Sequence, residues 1–415
     1  MATVAATRPT ISIAEAVRVA PSMRRHVALV APPWYPVPPL GYGGIEAVVA
    51  LLANELRARG HRVTLLAAEG SGLQATVRAP AAWGAALGQR DERLRELTYA
   101  ARVLQTIRQS GQVDVIHDHV GFATLLGCVL GGAPVVHTVH GVIREPDASF
   151  YSALGDEVRL VALSQSQRRV APELPWIGTV ANAVSVCDLI VAARDDKEPY
   201  LLCLARICPD KGQHLAIEVA RRTGLRLVLA GKVEATADAR KYFERRITPA
   251  LDGTRVVHVS NVTGVDKARL LARATALLAP IQWEEPFGLS VVEAMASGTP
   301  AISIARGAAP ELIAEGLTGF LVRDADEMVA AVRRAGEIEP ARCAAIARTR
   351  FSPSAMADAY LHLYALAEPA VPKRRGRQAV GAAALLSSAR RELQPRGAPV
   401  HDLDATPVAS DADVA

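Results

Sequence analysis

Residues 276–304 read ALLAPIQWEEPFGLSVVEAMASGTPAISI. Two short aliphatic runs, 276–279 and 301–304, enclose a turn marked by Pro286 and Gly288 and a stretch of helical period over 289–297 that Gly298 closes. Strand, helix and strand in that order are the unit of a parallel sheet with crossover helices. The alternation extends on both sides. Upstream, 201–205, 226–230 and 256–259 read as strands, with helices near 213–222 and 267–273, and 320–322 adds a strand downstream. Nearer the N-terminus a separate series places strands at 27–31, 63–67, 113–117, 135–138 and 160–163 and helices over 45–59 and 93–109. The fold class is therefore α/β, with two Rossmann-like, doubly wound domains facing a central cleft. Open sheets of this kind bind ligands beyond the carboxyl ends of their strands.

The expected organisation is a poorly ordered extension over 1–24, a first domain over 25–184 and a linker over 185–199 that carries Asp188 and the polar run Arg194-Asp195-Asp196-Lys197. A second domain over 200–368, counted with a final helix at 352–367 that could pack on either domain, and a mostly disordered tail over 369–415 complete it. In a chain of 415 residues, 50% hydrophobic content fills more than one core. The 47 Lys and Arg against 42 Asp and Glu leave +5, too little to build a field for nucleic acid, and 4% aromatics make no stacking platform. The five cysteines are scattered without a C-x-x-C pair, which fits reduced thiols and a cytoplasmic protein. Nothing approaches the ~18 apolar residues of a membrane span. The basic run Lys373-Arg374-Arg375-Gly376-Arg377 offers at most a weak peripheral contact with anionic lipid.

Chemistry concentrates where strands end. The helix opening at Leu289 and Ser290 offers unpaired N–H groups and a positive dipole end, which suit a phosphate, and Gly288 lets that backbone come close. Glu285, with Phe287 beside it, can accept hydrogen bonds from the hydroxyls of a neutral polyol; Glu293 lies further along the helix, within reach of a second sugar. Arg206 and Lys211, on the loop after strand 201–205, can converge on a pyrophosphate. Gly43 and Gly44 close a long loop after strand 27–31 and can present backbone N–H groups to a distal phosphate. The G-x-G-x-x-G spacing of a dinucleotide site is absent there. Strands ending in His117-Asp118-His119 and in His137-Thr138-Val139-His140 set imidazoles on the cleft rim. His140 is open to either an acceptor-side or a packing role, and a metal held by two histidines lacks a third ligand. Asp324-Ala325-Asp326 fits the letters of a metal-binding Asp-x-Asp but precedes a helical stretch, where capping explains it better.

The segment from Glu285 to Glu293, with Pro-Phe-Gly-Leu inside it and Glu-Ala-Met-Ala-Ser-Gly-Thr-Pro following, resembles the donor-sugar motif of family 4 glycosyltransferases, a family with the GT-B fold. The likeness covers about residues 25–368. It implies that Glu285 holds hydroxyls of the transferred sugar, Glu293 the ribose, and Arg206 and Lys211 the phosphates. It further implies that Gly231-Lys232 passes the nucleotide and that His119 lies by the donor sugar. The loop carrying Trp34 and Tyr35 looks like an acceptor-facing element. The expected activity is retaining transfer of a hexose-type sugar from a UDP- or GDP-linked donor to an acceptor hydroxyl on a glycan, a lipid-linked carrier or a small molecule, without a cofactor or catalytic metal. A sugar-nucleotide epimerase or hydrolase of the same fold and a noncatalytic binder are the alternatives. Ala183 departs from the pattern, since many relatives have Gly after the Asn that is Asn182 here.

Overall fold

The computed structural model describes residues 24–73, 76–81 and 92–367. The extension before Arg24 and the tail from Glu368 onward with its basic run lie outside these residues. The first sheet is built from β1 (His26–Val30), β2 (Arg62–Ala68), β3 (Thr76–Ala81), β4 (Val115–Asp118), β5 (Val135–Thr138), β6 (Val158–Ala162) and β7 (Trp176–Thr179). The second holds β8 (Glu198–Leu204), β9 (Arg226–Ala230), β10 (Val256–Val259), β11 (Ala274–Ala279), β12 (Ala301–Ile304) and β13 (Gly319–Val322). Every pairing is parallel.

The strand orders are β3-β2-β1-β4-β5-β6-β7 and β10-β9-β8-β11-β12-β13. In each sheet the winding reverses between two neighbours, β1 and β4 in the first and β8 and β11 in the second. Loops leaving the carboxyl ends of such a pair turn away from each other and leave a crevice. The four loops concerned are those that carry Gly43-Gly44, His119, Arg206 with Lys211, and Glu285. The topology therefore gathers the four motifs from distant parts of the chain.

Three apolar clusters hold the sheets. One fills the second half around Leu201, Leu229 and Met295; the other two lie on either face of the first sheet, one around Leu29, Leu52 and Val136, the other around Tyr99, Ile116 and Leu160. The final helix, Pro353–Ala367, departs from the expected organisation, which counts it with the second domain. It returns to the first sheet, where Met356, Tyr360, Leu363 and Tyr364 are buried with Leu29 and Val136. Tyr364 Oη and Thr138 Oγ1 meet the two ring nitrogens of His117 at 2.8 Å each, and Tyr360 Oη lies 2.9 Å from Thr138 Oγ1. His117 thus points into the structure and leaves the cleft rim to His119. Gly178 leaves the room Leu363 needs, since a Cβ there would lie 2.7 Å from Leu363 Cδ2.

The linker segment is pinned to the second half. Lys197 Nζ donates to Ala272 O at 2.6 Å, Gly298 O at 2.9 Å and Thr299 Oγ1 at 2.6 Å, and burial lowers its pKa to about 8. Its last residues already belong to β8. The chain crosses between halves a second time near Phe351, whose carbonyl accepts from Val184 N at 3.1 Å, so the two crossings run side by side.

Candidate functional site

The loop after β8 ends in a short turn, Pro209–Lys211, and Gly212 takes φ 66° directly before the helix Gln213–Thr223. A Cβ at Gly212 would overlap Pro280 O, so only glycine lets this loop lie against the end of β11. Gly307, φ 57°, allows the same close approach beneath the backbone of Glu285, whose carbonyl accepts from Ala308 N at 2.9 Å. With both loops fixed, Lys211 Nζ forms an ion pair with Glu285 Oε2, 74 residues away in sequence. Trp283 Nε1 donates to the same carboxylate oxygen at 2.8 Å, and the indole ring centroid is 5.2 Å from Lys211 Nζ. Both members of the pair are only 15% exposed.

A hollow opens beside this pair, lined by Ala205, Lys211, Glu285, Phe287, Gly288 and Ser290 among others. Gly288, φ 113°, precedes the helix Leu289–Ala296, so the unpaired N–H groups of that helix start beside the hollow. Phe287 is buried and packs edge-on against Phe351 at 6.0 Å between centroids, giving it a structural task at the chain crossing as well. Leu289 packs against the cores of both halves, and a Cβ on Gly44 would lie 3.0 Å from its Cδ1. The glycine turn of the first half and the helix start of the second half therefore meet.

The remaining second-half candidates do not join this pair. Arg206 Nη1 binds Glu234 Oε2 at 2.7 Å and does not line the hollow, and Lys267 Nζ binds Glu293 Oε1 at 2.7 Å. Lys232, next to Gly231, reaches across the cleft: its Nζ lies 3.0 Å from Tyr35 Oη and 3.9 Å from the ring centroid of Tyr42. Tyr35 and Tyr42 meet edge to face at 5.7 Å. The expectation of an acceptor-facing Trp34-Tyr35 pair separates here, with Trp34 buried and Tyr35 engaged by a cation of the opposite half. A second contact across the cleft comes from Glu311, whose carboxylate accepts from Gln165 N at 2.7 Å and Ser166 N at 2.6 Å.

On the first-half rim, His119 Nδ1 and His140 Nε2 are 2.9 Å apart, so one proton is shared between two imidazoles. Burial, reinforced by neighbouring histidines, holds the pKa of His119 well below its usual value and that of His140 down to about 3. Both rings are neutral at ordinary pH. His119 Nε2 is buried and has no partner among the described residues. Asn182 Oδ1, beside Ala183, is in the same condition.

Several contributors escape sequence reasoning. Asp118 is fully buried and accepts from Gly121 N at 2.7 Å, Val120 N at 3.2 Å and His137 Nδ1 at 2.8 Å, so it fixes the turn that carries His119. Its place between two histidines, three residues before Gly121, is the available signal. Glu46, two residues past Gly44, is buried, and burial raises its pKa to about 7. Trp283, Tyr42, Glu234 and Lys267 carry no motif. Asp324 caps the helix Ala325–Arg334 through Glu327 N at 2.9 Å, as its position predicts.

Residues 190–350 match the family model described as glycosyl transferases group 1, and residues 42–175 match that of glycosyltransferase family 4. A trehalose synthase of Pyrococcus horikoshii is 35% identical over 144 residues, covering 32% of this chain and 34% of that protein. The chain spans between about a third and about half of the lengths of the first curated relatives it matches. Among solved structures, AviGT4, a glycosyltransferase involved in avilamycin A biosynthesis, is 26% identical with a TM-score of 0.61, over 83% of this chain and 99% of its own. Anabaena HepE, solved in complex with UDP and glucose, shares the fold with a TM-score of 0.65 at 18% identity, over 83% of this chain and 100% of its own.

Proposed function

Since the chain belongs to the family 4 glycosyltransferases, we propose that it transfers a hexose-type sugar from a nucleoside diphosphate to an acceptor hydroxyl, with the anomeric configuration retained. The observation that carries this reading is the convergence of Lys211 and Glu285 at a hollow beside the start of the helix Leu289–Ala296. A diphosphate entering there meets a cation and a helix N-terminus, each charge-assisted contact contributing about 1.5–3 kcal/mol. Binding exchanges the Lys211–Glu285 pair for Lys211–phosphate and frees Glu285 to accept from sugar hydroxyls. Arg206 and Lys267 are held by Glu234 and Glu293, so a diphosphate and a ribose would recruit them only by displacing or sharing those carboxylates. The bound complex of HepE with UDP supports a uridine nucleotide as the first donor to try.

Retention is what the family resemblance implies, and the composition of the hollow bears only on the route to it. Among the described lining residues Glu285 is the only carboxylate, and a double displacement needs a nucleophilic partner as well. The departing phosphate then takes the acceptor's proton on the same face, while the neutral His119 offers its unpartnered Nε2 to a donor hydroxyl. Closure across the Tyr35–Lys232 and Glu311 contacts excludes water from the bond being exchanged. The test is release of UDP or GDP from UDP-glucose or GDP-mannose with a panel of hydroxyl acceptors, following product mass. Glu285→Gln is expected to lower turnover by about 10²-fold or more with the fold intact. Turnover close to that of the native chain would contradict the reading.

A further inference from the structure

The helices Glu92–Gln109 and Phe122–Val129 lie side by side on the first half, close enough that a Cβ on Gly127 would lie 2.7 Å from Ala100 O. At their far ends Arg108 Nη2 reaches Leu130 O at 3.5 Å. Large apolar side chains stand on their outward faces, beside exposed Arg93, Arg102 and Arg108 on the first. Phe122, Leu126 and Leu130 recur every four residues along one line, and Leu94 and Leu97 stand on the neighbouring helix; all five are between 46% and 66% exposed. A solvated helix usually turns such residues inward, and large apolar side chains gathered on one face mark an interaction surface. Phe122 is held in the left-handed region at φ 42°, a conformation a bulky aromatic adopts only when its surroundings impose it. Asp118 imposes it by fixing the preceding turn through Val120 N and Gly121 N.

Charge decides between occupants. The helix Glu92–Gln109 carries Arg93, Arg95, Arg102 and Arg108 against Glu92 and Glu96, and Phe122–Val129 carries no charged residue. A second copy of the chain on this face would set arginine against arginine. An anionic lipid surface complements both the apolar rows and the cations flanking them. We infer that this face docks on an anionic bilayer, with Leu94, Leu97, Phe122, Leu126 and Leu130 entering the headgroup boundary. Phe122 follows His119 by three residues, so docking sets the rim of the cleft at the lipid surface, where an amphiphilic acceptor would be met. The docking itself does not depend on the proposed transfer reaction.

The experiment is cosedimentation of the full chain with vesicles of equal parts phosphatidylglycerol and phosphatidylcholine, and with phosphatidylcholine alone. The native chain is expected to pellet with the anionic vesicles and to be released as salt rises. The double variant Leu97→Asp with Leu126→Asp is expected to lose roughly tenfold or more in partitioning, while its melting temperature and its stabilisation by UDP stay unchanged. Variants Arg93→Gln and Arg108→Gln, which keep the apolar rows, are expected to weaken binding to the anionic vesicles only. The inference is overturned if the native chain stays in the supernatant with both compositions. It is equally overturned if the double variant pellets as well as the native chain, which would assign lipid binding to the run Lys373–Arg377. A concentration-dependent dimer of the native chain that the double variant abolishes would assign the face to a second copy and also overturn it.

Discussion

Replacing Glu46 by Gln should stabilise the protein, and by an amount that depends on pH. Glu46 sits in the first turn of the helix Gly44–Ala58, is 4% exposed, and lies against the glycine turn, where a Cβ on Gly43 would be 3.0 Å from its Oε2. No cation pairs with it among the described residues. Burial therefore penalises the carboxylate and raises its pKa from 4.5 to about 7. Because the folded value is the higher one, the folded chain binds more protons than the unfolded chain between the two, and stability falls as pH rises through that window. Below it the acid is neutral in both states and carries no penalty. At ~1.4 kcal/mol per pKa unit the full penalty is about 3 kcal/mol above neutrality. Glutamine is nearly isosteric and never ionises, so it escapes that cost. Urea denaturation of both chains at about pH 5 and about pH 8 should show the variant gaining ~2 kcal/mol or more at the higher pH relative to the lower. An equal difference at both pH values, or a variant less stable at the higher one, would refute the assignment of Glu46 as an unpaired buried acid.

The histidine cluster makes the opposite contribution. Burial holds His117 and His119 well below 6.5 and His140 at about 3, so stability is constant above 6.5 and falls as pH drops toward the folded values. Imidazole proton resonances recorded against pH should show three rings that do not titrate near neutrality; three ordinary titrations would contradict the buried network. Gly178→Ala places a Cβ 2.7 Å from Leu363 Cδ2 and should cost about 1–3 kcal/mol by loosening the final helix from the first sheet. In a Leu363→Ala background the same change should cost markedly less, and an undiminished cost would remove Leu363 as its cause.

Much of this arrangement can be read from local pattern. β5, β9, β10 and β12 fall where their aliphatic runs predict, and the helix starts at Gly44, Gln213 and Leu289 follow turn and glycine signals that need no tertiary partner. The strands β3 and β7 are missed because Pro80 and Gly178 interrupt their short apolar runs. The destination of the helix Pro353–Ala367 is not local information. An apolar stripe fits any apolar face, and what selects the first sheet is the space above Gly178 and the hydroxyls that answer His117 and Thr138. At the site, the meeting of Lys211 with Glu285 is legible because both lie on loops leaving the pair of strands where the winding reverses. The partners of Arg206, Lys232 and Glu293 are not legible, since Glu234, Tyr42 and Lys267 belong to no motif; Glu234 and Lys267 meet their partners through the folding of the second half, and Tyr42 meets Lys232 where the two halves approach.

The central claim is that Lys211 and Glu285 mark the seat of a nucleoside diphosphate. Its most direct test is titration of the native chain and of Lys211→Met with UDP and with GDP, following thermal unfolding. One of the two nucleotides, at about 100 times its Kd, should stabilise the native fold by about 2.7 kcal/mol. Lys211→Met should bind it about tenfold to a hundredfold more weakly, the loss of one charge-assisted contact. Unchanged unfolding of the native chain with both nucleotides, or equal affinity in the variant, would contradict the account.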